Sequence, residues 1–133
     1  MSNDDLDATL RAIGRGLLQM LTRPDNVAIV RMVIGVSGKF PAIGRAFHEA
    51  GPQFGQERLA AYLDLQVAAG RVKITDTKLA ASNFLQLSHS EIVKAQLFCV
   101  IEQISEAEIE RSIENAVDIF MRIYGVDQQN QRA

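Results

Sequence analysis

Apolar residues recur along this chain at helical spacing, most clearly near the N-terminus. Within residues 4–22, large apolar side chains follow one another at steps of three or four positions: Leu6, Leu10, Ile13, Leu17 and Leu21. That spacing places these side chains along one face of an α-helix. The pattern therefore predicts a first helix that buries one stripe of its surface.

Later segments are apolar over most of their circumference. A second helix is predicted over residues 25–36, and two further apolar segments cover residues 76–87 and 91–103. A helix that is apolar all round lies in the interior of a bundle or in an interface, so we expect the second helix to be central. The sequence leaves open whether the two later segments form one kinked helix or two.

Proline and glycine divide the middle of the chain. Pro41 suits the first turn of a short third helix, because no backbone N–H is needed there. Gly51 followed by Pro52 predicts a helix stop and an immediate restart, and a fourth helix then extends to residue 69. Residues 71–74 alternate like a strand, but so short a segment without a partner is interpreted as a connection.

Two serines lie three positions before a glutamate. Ser88 with Glu91, and Ser105 with Glu108, have the spacing of a capping box. The first predicts a helix restart between the two apolar segments, and the second opens the last helix, which ends at Gly125. Apolar side chains on this last helix span an arc of roughly 200°, about twice what a single core-facing stripe needs.

The predicted elements make an all-α fold, a helical bundle of six to seven helices. At 133 residues the chain has the length of one domain. We assign that domain to residues 1–125, followed by a flexible tail over residues 126–133. So small a chain has few central positions for its widely apolar helices. A two-fold dimer that pairs helices into a four-helix bundle would cover them; the alternative is coverage within one chain.

Composition and charge exclude several classes of function. The formal net charge is −2, so nothing indicates a nucleic-acid or an anionic-membrane partner. A single cysteine, Cys99, excludes an intrachain disulfide and a cysteine-based zinc site. No segment reaches the ~18 apolar residues of a membrane helix, and the acidic N-terminus lacks the features of a signal peptide. We therefore expect a cytoplasmic location without membrane contact.

Motifs of enzymes, such as the nucleophile elbow, the P-loop and the metal-binding H-E-x-x-H, are absent from the sequence. No enzyme activity, catalytic residue, metal site or cofactor is therefore predicted. Apolar side chains with a few polar groups instead suit a small-molecule pocket. The candidate ligand-binding residues are Arg31, Met32, Phe47, Tyr62, Gln66, Phe84 and His89.

Each candidate also has a purely structural interpretation. The apolar ones can be ordinary core residues. Arg31 can extend to the rim of the bundle and pair there with a carboxylate. His89 lies between two apolar segments, where it can cap a helix or belong to a loop.

Five short motifs occur in order: R-x-V-I at residues 31–34, F-P at 40–41, A-F-x-E-x-G-P at 46–52, L-x-x-Y-L at 59–63 and D-x-x-x-A-A-x-x-F-L at 76–85. Their order and spacing resemble the C-terminal regulatory domain of TetR-family repressors, especially of the AefR-like branch. Each motif is too degenerate to identify a family by itself, and the resemblance rests on all of them occurring in this order and spacing. The resemblance covers nearly the whole chain.

The resemblance implies the effector-binding and dimerisation domain of a transcriptional regulator, which senses a small and largely apolar molecule. It implies a homodimer formed by the last two long helices, with interface residues Leu85, Ile109, Ile113, Val117, Phe120 and Tyr124. DNA would be bound only through an N-terminal helix-turn-helix headpiece that is missing here, so this chain alone should not bind DNA. The alternative is a ligand-free helical interaction module that heterodimerises with full-length regulators.

Overall fold

Six α-helices and one π-helical turn form the part of the chain that this computed structural model describes, residues 3–126. They are α1 (Asn3–Leu21), α2 (Pro24–Ser37), α3 (Pro41–His48), the π turn (Glu49–Gln53), α4 (Phe54–Ala68), α5 (Thr77–Leu97) and α6 (Glu106–Tyr124). The predicted all-α fold of six to seven helices is confirmed. Of the predicted flexible tail, residues 127–133 lie outside the described part of the chain.

Side-chain caps explain where the two long C-terminal helices begin. The Asp76 carboxylate accepts a hydrogen bond from the Leu79 N–H at 3.0 Å and caps α5. Ser105 accepts from the Glu108 N–H at 3.2 Å, as its capping-box spacing predicts. The other predicted box is wrong, because Ser88 lies inside α5 and its hydroxyl donates to the Phe84 carbonyl. The two apolar segments therefore form one helix as far as Leu97, and residues 98–103 of the second segment lie outside it.

The predicted stop at Gly51 and Pro52 is also wrong. A π turn carries α3 directly into α4, with Pro52 inside it. The extra residue of a π turn shifts the hydrogen-bond register, which accommodates a residue that has no N–H to donate. Pro24 and Pro41 do occupy first turns, of α2 and α3.

The hydrophobic core joins α1, α4, α5 and α6, which we call the body. Its fully buried large side chains include Leu6, Leu10 and Leu18 on α1. Phe84 of α5 and Phe120 of α6 meet edge to face, with ring centroids 5.8 Å apart. This is the T-shaped geometry that aromatic pairs favour in cores. The body thus holds the bundle together through contacts between all four of its helices.

The segment of residues 24–53, comprising α2, α3 and the π turn, forms what we call the arm. In it α3 packs against α2 and the π turn but against no helix of the body. Within residues 24–53 only Val27 and Val33 are buried, whereas Met32 is 62% exposed. The apolar α2 is therefore peripheral in the single chain, contrary to the central position that its composition predicts.

The connection between α4 and α5 crosses the end of α6. Gly70 adopts a φ of 76°, the left-handed conformation of a helix C-terminal glycine. Val72 then forms an isolated antiparallel bridge with Gly125, and the Lys73 N–H donates to the Tyr124 carbonyl at 2.8 Å. As predicted, residues 71–74 are a connection, and they anchor the C-terminal end of α6.

Candidate functional site

The outer side of α5 and α6 carries an open groove of about 490 Å³. Its floor is formed by Phe84 and Phe120, and Leu87, Ile119 and Ile123 stand along its walls. We call this surface the α5–α6 face. The Ile123 side chain is 65% exposed, an unfavourable arrangement for a large apolar group on a helix of the core.

Hydrogen bonds fix the two helices of this face to each other. The Ser112 hydroxyl donates to the Ser88 carbonyl at 2.7 Å, and the Asn83 amide donates to the Tyr124 hydroxyl at 3.1 Å. Gln86 and Asn115 add polar groups to the groove. The arrangement offers an apolar surface with hydrogen-bonding groups, which is suited to packing against a complementary surface.

The predicted interface residues lie on α5 and α6, but most of them do not lie on this face. Ile109, Ile113 and Val117 are between 0% and 3% exposed and belong to the core of the single chain. Phe120 is 1% exposed, belongs to the same core, and reaches the face only as the floor of the groove. Leu85 and Tyr124 are half-buried, and Tyr124 lines the groove. These residues thus pack the inner side of α6, and the groove lies on its outer side.

The apolar residues along the walls of the groove, exposed Leu87 and Ile123 and half-buried Ile119, are absent from the predicted interface residues. Leu87, Ile119 and Ile123 belong to helices that are apolar around most of their circumference. A wide apolar arc shows that two sides of a helix are apolar, but it does not show which side the chain covers itself. On α5, the small residues Ala80 and Ala81 are buried and mark the side that faces the core. They are the sequence signal from which the outward side of α5 could be inferred.

The seven predicted ligand-binding residues do not form one lining. Phe84 is fully buried in the core against Phe120. The buried Gln66 side chain accepts a hydrogen bond from the Arg71 guanidinium at 3.1 Å. Met32 faces solvent on α2, and Phe47 is half-buried on α3.

Tyr62 and His89 are half-buried polar side chains of the body. Tyr62 packs against the core from α4, and its buried hydroxyl has no hydrogen-bonding partner within the described residues. The His89 imidazole bonds through Nδ1 to the Leu85 carbonyl within α5. Burial lowers the pKa of His89 below its ordinary value, which favours the neutral ring.

Arg31 extends from α2 to the C-terminal end of α5. Its Nη2 donates to the carbonyl of Gln96 at 3.1 Å and to that of Leu97 at 3.2 Å, and it lies 3.6 Å from the Cys99 sulfur. The partners of Arg31 are thus carbonyls at a helix end, which carry partial negative charge, instead of the carboxylate considered from the sequence. The Gln96 amide in turn donates to the Thr22 carbonyl at 3.2 Å.

An ion pair joins α1 to α6. The Arg15 guanidinium donates from Nε and Nη2 to the two carboxylate oxygens of Glu110, at 2.7 and 3.0 Å. This bidentate contact holds the pKa of Glu110 below its usual value. The pair helps to fix how α1 and α6 are oriented against each other. Both side chains remain partly exposed to solvent.

Neither a metal site nor a membrane helix occurs in the described part of the chain. Across residues 3–126, no group of three or more His, Cys, Asp or Glu side chains is arranged to hold a metal ion. No helix within that range combines the length and the apolar content that crossing a membrane requires.

The sequence matches a known protein family over most of its length. Residues 8–126 match the family described as AefR-like transcriptional repressor, C-terminal domain. Among curated proteins, no sequence matches this chain significantly.

Solved structures resemble this fold closely. A protein from Mesorhizobium loti MAFF303099 assigned to the TetR family superposes with a TM-score of 0.85 at 25% identity, covering 90% of this chain and 59% of its own. The Flavonoid-responsive Regulator FrrA gives a TM-score of 0.78 at 31% identity, covering 87% of this chain and 59% of its own. A TetR transcriptional regulator from Agrobacterium tumefaciens shares the fold, with a TM-score of 0.82 at 20% identity and coverages of 98% and 63%. This chain therefore spans about three fifths of the length of these structures.

Proposed function

We infer the function from one premise: this chain belongs to the TetR family of transcriptional regulators, and residues 8–126 are its AefR-like C-terminal domain. In this family the C-terminal domain has a regulatory role, and the regulators are typically homodimers. We propose that this chain is the effector-binding and dimerisation domain of such a regulator. The chain has no enzyme activity in this proposal, and it acts in the cytoplasm.

The α5–α6 face carries the proposal of dimerisation. Leu87 is 39% exposed and Ile123 is 65% exposed, and the groove lies open between their helices. A second copy, related by a two-fold axis, would lay the same face against this one and complete a four-helix bundle. The polar side chains Asn83, Gln86 and Asn115 would then provide hydrogen bonds between the copies.

A matched pair of substitutions tests this interface. Ile123→Asp places a charge in the face, and Leu65→Asp places the same charge at a residue of α4 that is 67% exposed. An unpaired buried charge is strongly unfavourable, so we expect Ile123→Asp to be a monomer by size-exclusion chromatography with light scattering. Leu65→Asp should elute as a dimer, like the unchanged chain. Two dimeric variants would overturn the proposed interface.

For the effector we propose a small, mostly apolar molecule with a polar group, of which a flavonoid is one class. Support comes from FrrA, whose description as flavonoid-responsive applies to a protein 31% identical to this chain. The buried Tyr62 hydroxyl without a partner also supports it, because native structures rarely leave such a group unsatisfied. Phe47 and His89 are the other half-buried candidates.

Calorimetric titration of the chain with a flavone, a flavanone and an isoflavone tests this effector class. Tyr62→Phe removes one hydroxyl and keeps the ring, so binding should weaken by about five- to tenfold if the hydroxyl contacts the ligand. Asp64→Asn, at an exposed position of α4, is the control, and its affinity should be unchanged. The absence of heat with all three compounds would contradict the proposed effector class.

A second candidate function is a ligand-free module that forms mixed dimers with full-length regulators. The filled interior around Phe84 and Gln66 favours it, since both predicted pocket residues already have partners. In either case, we assign DNA binding to the part of the related regulators that this chain does not span. Mixing this chain with a full-length homologue, followed by native mass spectrometry, would reveal dimers of intermediate mass.

A further inference from the structure

Apolar burial holds the arm only weakly to the body. No side chain of residues 24–53 belongs to the main core cluster or packs against it as a partly buried neighbour. The two buried residues of the arm, Val27 and Val33, are 8% and 9% exposed. Segments with few buried contacts open at lower free energy than the core does. The arm therefore depends on other contacts for its position.

The strongest polar contact of the arm is with the C-terminal end of α5. That end has a particular geometry: the N–H of Val100 donates to the Ala95 carbonyl at 2.8 Å, and that of Cys99 donates to the Gln96 carbonyl at 3.0 Å. These bonds form a Schellman motif around Cys99, whose φ of 59° is unusual for a residue with a side chain.

Arg31 completes this helix end from another element. Its Nη2 donates to the Gln96 carbonyl, which also accepts from the Cys99 N–H, and to the Leu97 carbonyl. The Gln96 side chain, 5% exposed, donates to the Thr22 carbonyl at the end of α1. These hydrogen bonds among Thr22, Arg31, Gln96 and Leu97, which we call the junction, connect the ends of α1 and α5 to the arm.

The two attachments of the arm along the chain have few restraints. At one end, Thr22 and Arg23 separate α1 from α2, and the Asn26 amide of the arm donates to the Leu21 carbonyl of α1 at 3.4 Å. At the other end lies the π turn, where a side chain added at Gly51 would meet no atom within 4 Å. Local π geometry and proline are both common at places where a helix bends. The arm is therefore joined to the body by two short bendable segments, by the Asn26 hydrogen bond beside the first of them, and by the junction.

We propose that the arm opens from the body as a unit, and that the junction is the latch that couples its position to the end of α5. Because α5 also carries the α5–α6 face, the latch connects the arm to the surface at which two copies would meet. We further infer that opening of the arm admits the effector. This part of the inference rests on the proposed function. In the latch, Arg31 is a positioning residue.

Hydrogen–deuterium exchange of the whole chain, followed by mass spectrometry, tests the latch. In Arg31→Ala, amides of residues 24–47 and of residues 92–99 should exchange about tenfold faster, while those of residues 6–18 and 109–120 should change less than about twofold. Arg31→Lys keeps a donor nitrogen and should restore most of the protection. Arg45→Ala removes another arginine of the arm and should leave all four segments within about twofold.

Two results would overturn the latch. Unchanged exchange of the arm in Arg31→Ala would show that the junction does not hold it. Equally faster exchange in the arm and in residues 6–18 and 109–120 would show that Arg31 supports the whole fold. The measurement needs no effector, and the dimer is measured separately by mass. A result that contradicts the latch can therefore be distinguished from one that contradicts the proposed dimer or the proposed effector site.

Discussion

In the body, α1 carries one apolar stripe, and Leu6 and Leu10 of that stripe are fully buried. In the arm, α2 is apolar on nearly every side, yet Met32 and Ile34 are 62% and 61% exposed. An amphipathic helix specifies which of its sides faces the core, whereas a helix that is apolar all round does not. In a chain of this size, the second kind of helix marks a surface that needs a further partner or that moves.

The two regions also differ in how they are held. The body is held by contacts between buried apolar side chains, such as Phe84 and Phe120. The arm is held by hydrogen bonds from Arg31 to main-chain carbonyls. Close packing makes the body sensitive to any change of volume, whereas the arm should respond mainly to changes at the junction. The following predictions test this difference, from the largest expected effect to the smallest.

Truncation of a large side chain should separate the two regions most clearly. Phe120→Ala leaves a cavity beside Phe84 in the body and should lower the free energy of unfolding by about 3–5 kcal/mol. Met32→Ala in the arm removes an exposed side chain and should change it by less than about 0.5 kcal/mol. Urea denaturation followed by circular dichroism, at one fixed protein concentration, measures both. Equal losses would remove the distinction between body and arm.

Replacing a glycine by a larger residue tests the packing of the two regions by adding volume instead of removing it. A Cβ at Gly14 would lie 3.4 Å from the Cγ1 of Ile113, whereas one at Gly35 in α2 would meet nothing within 4 Å. Gly14→Leu should therefore destabilise the body by about 1–3 kcal/mol through overpacking. Gly35→Leu should be neutral or stabilise the chain by up to about 1 kcal/mol, because leucine favours a helix more than glycine does. Thermal unfolding of both variants gives the comparison, and a destabilised Gly35→Leu would show that the outer side of α2 is packed.

Acid should weaken the body slightly through the pair of Arg15 and Glu110. The pKa of Glu110 is lowered in the folded chain, so the pair contributes stability above the ordinary pKa of the carboxyl, and this contribution is lost as pH falls through the lowered value. The effect is small because both groups are partly exposed. Glu110→Gln should flatten the dependence of the unfolding temperature on pH below about pH 4.5. An unchanged dependence would mean that the pair contributes no measurable stability.

Local sequence signals predicted most of the helices and several of their ends. The capping box at Ser105 and the first half of the α1 stripe are predicted correctly because they depend on neighbours within one or two turns. In the second half of the stripe, Leu18 is fully buried, whereas the predicted Leu17 is half-buried. The helix ends predicted at Ser88 and Pro52 are wrong for a related reason. A serine hydroxyl can bond to the preceding turn of a helix, and a π turn can absorb a proline, so neither residue by itself ends a helix.

The side chains of the functional surfaces were harder to predict than the helices. Ile113 and Ile123 both fall within the apolar arc of α6, but one is fully buried and the other is 65% exposed. Their difference is set by where α1 and α5 pack against α6, which is a tertiary property. Arg31 likewise has a partner on a helix that begins far along the chain. Its role as a link between elements could not be derived from its neighbours in sequence.

The most direct test of the account is native mass spectrometry of the purified, unchanged chain at micromolar concentration. The α5–α6 face predicts a dimer of twice the 14.7 kDa chain mass, and a bound effector would add its own mass to that dimer. A chain that remains monomeric under these conditions would contradict the pairing of this face with a second copy, on which the proposed dimerisation role depends.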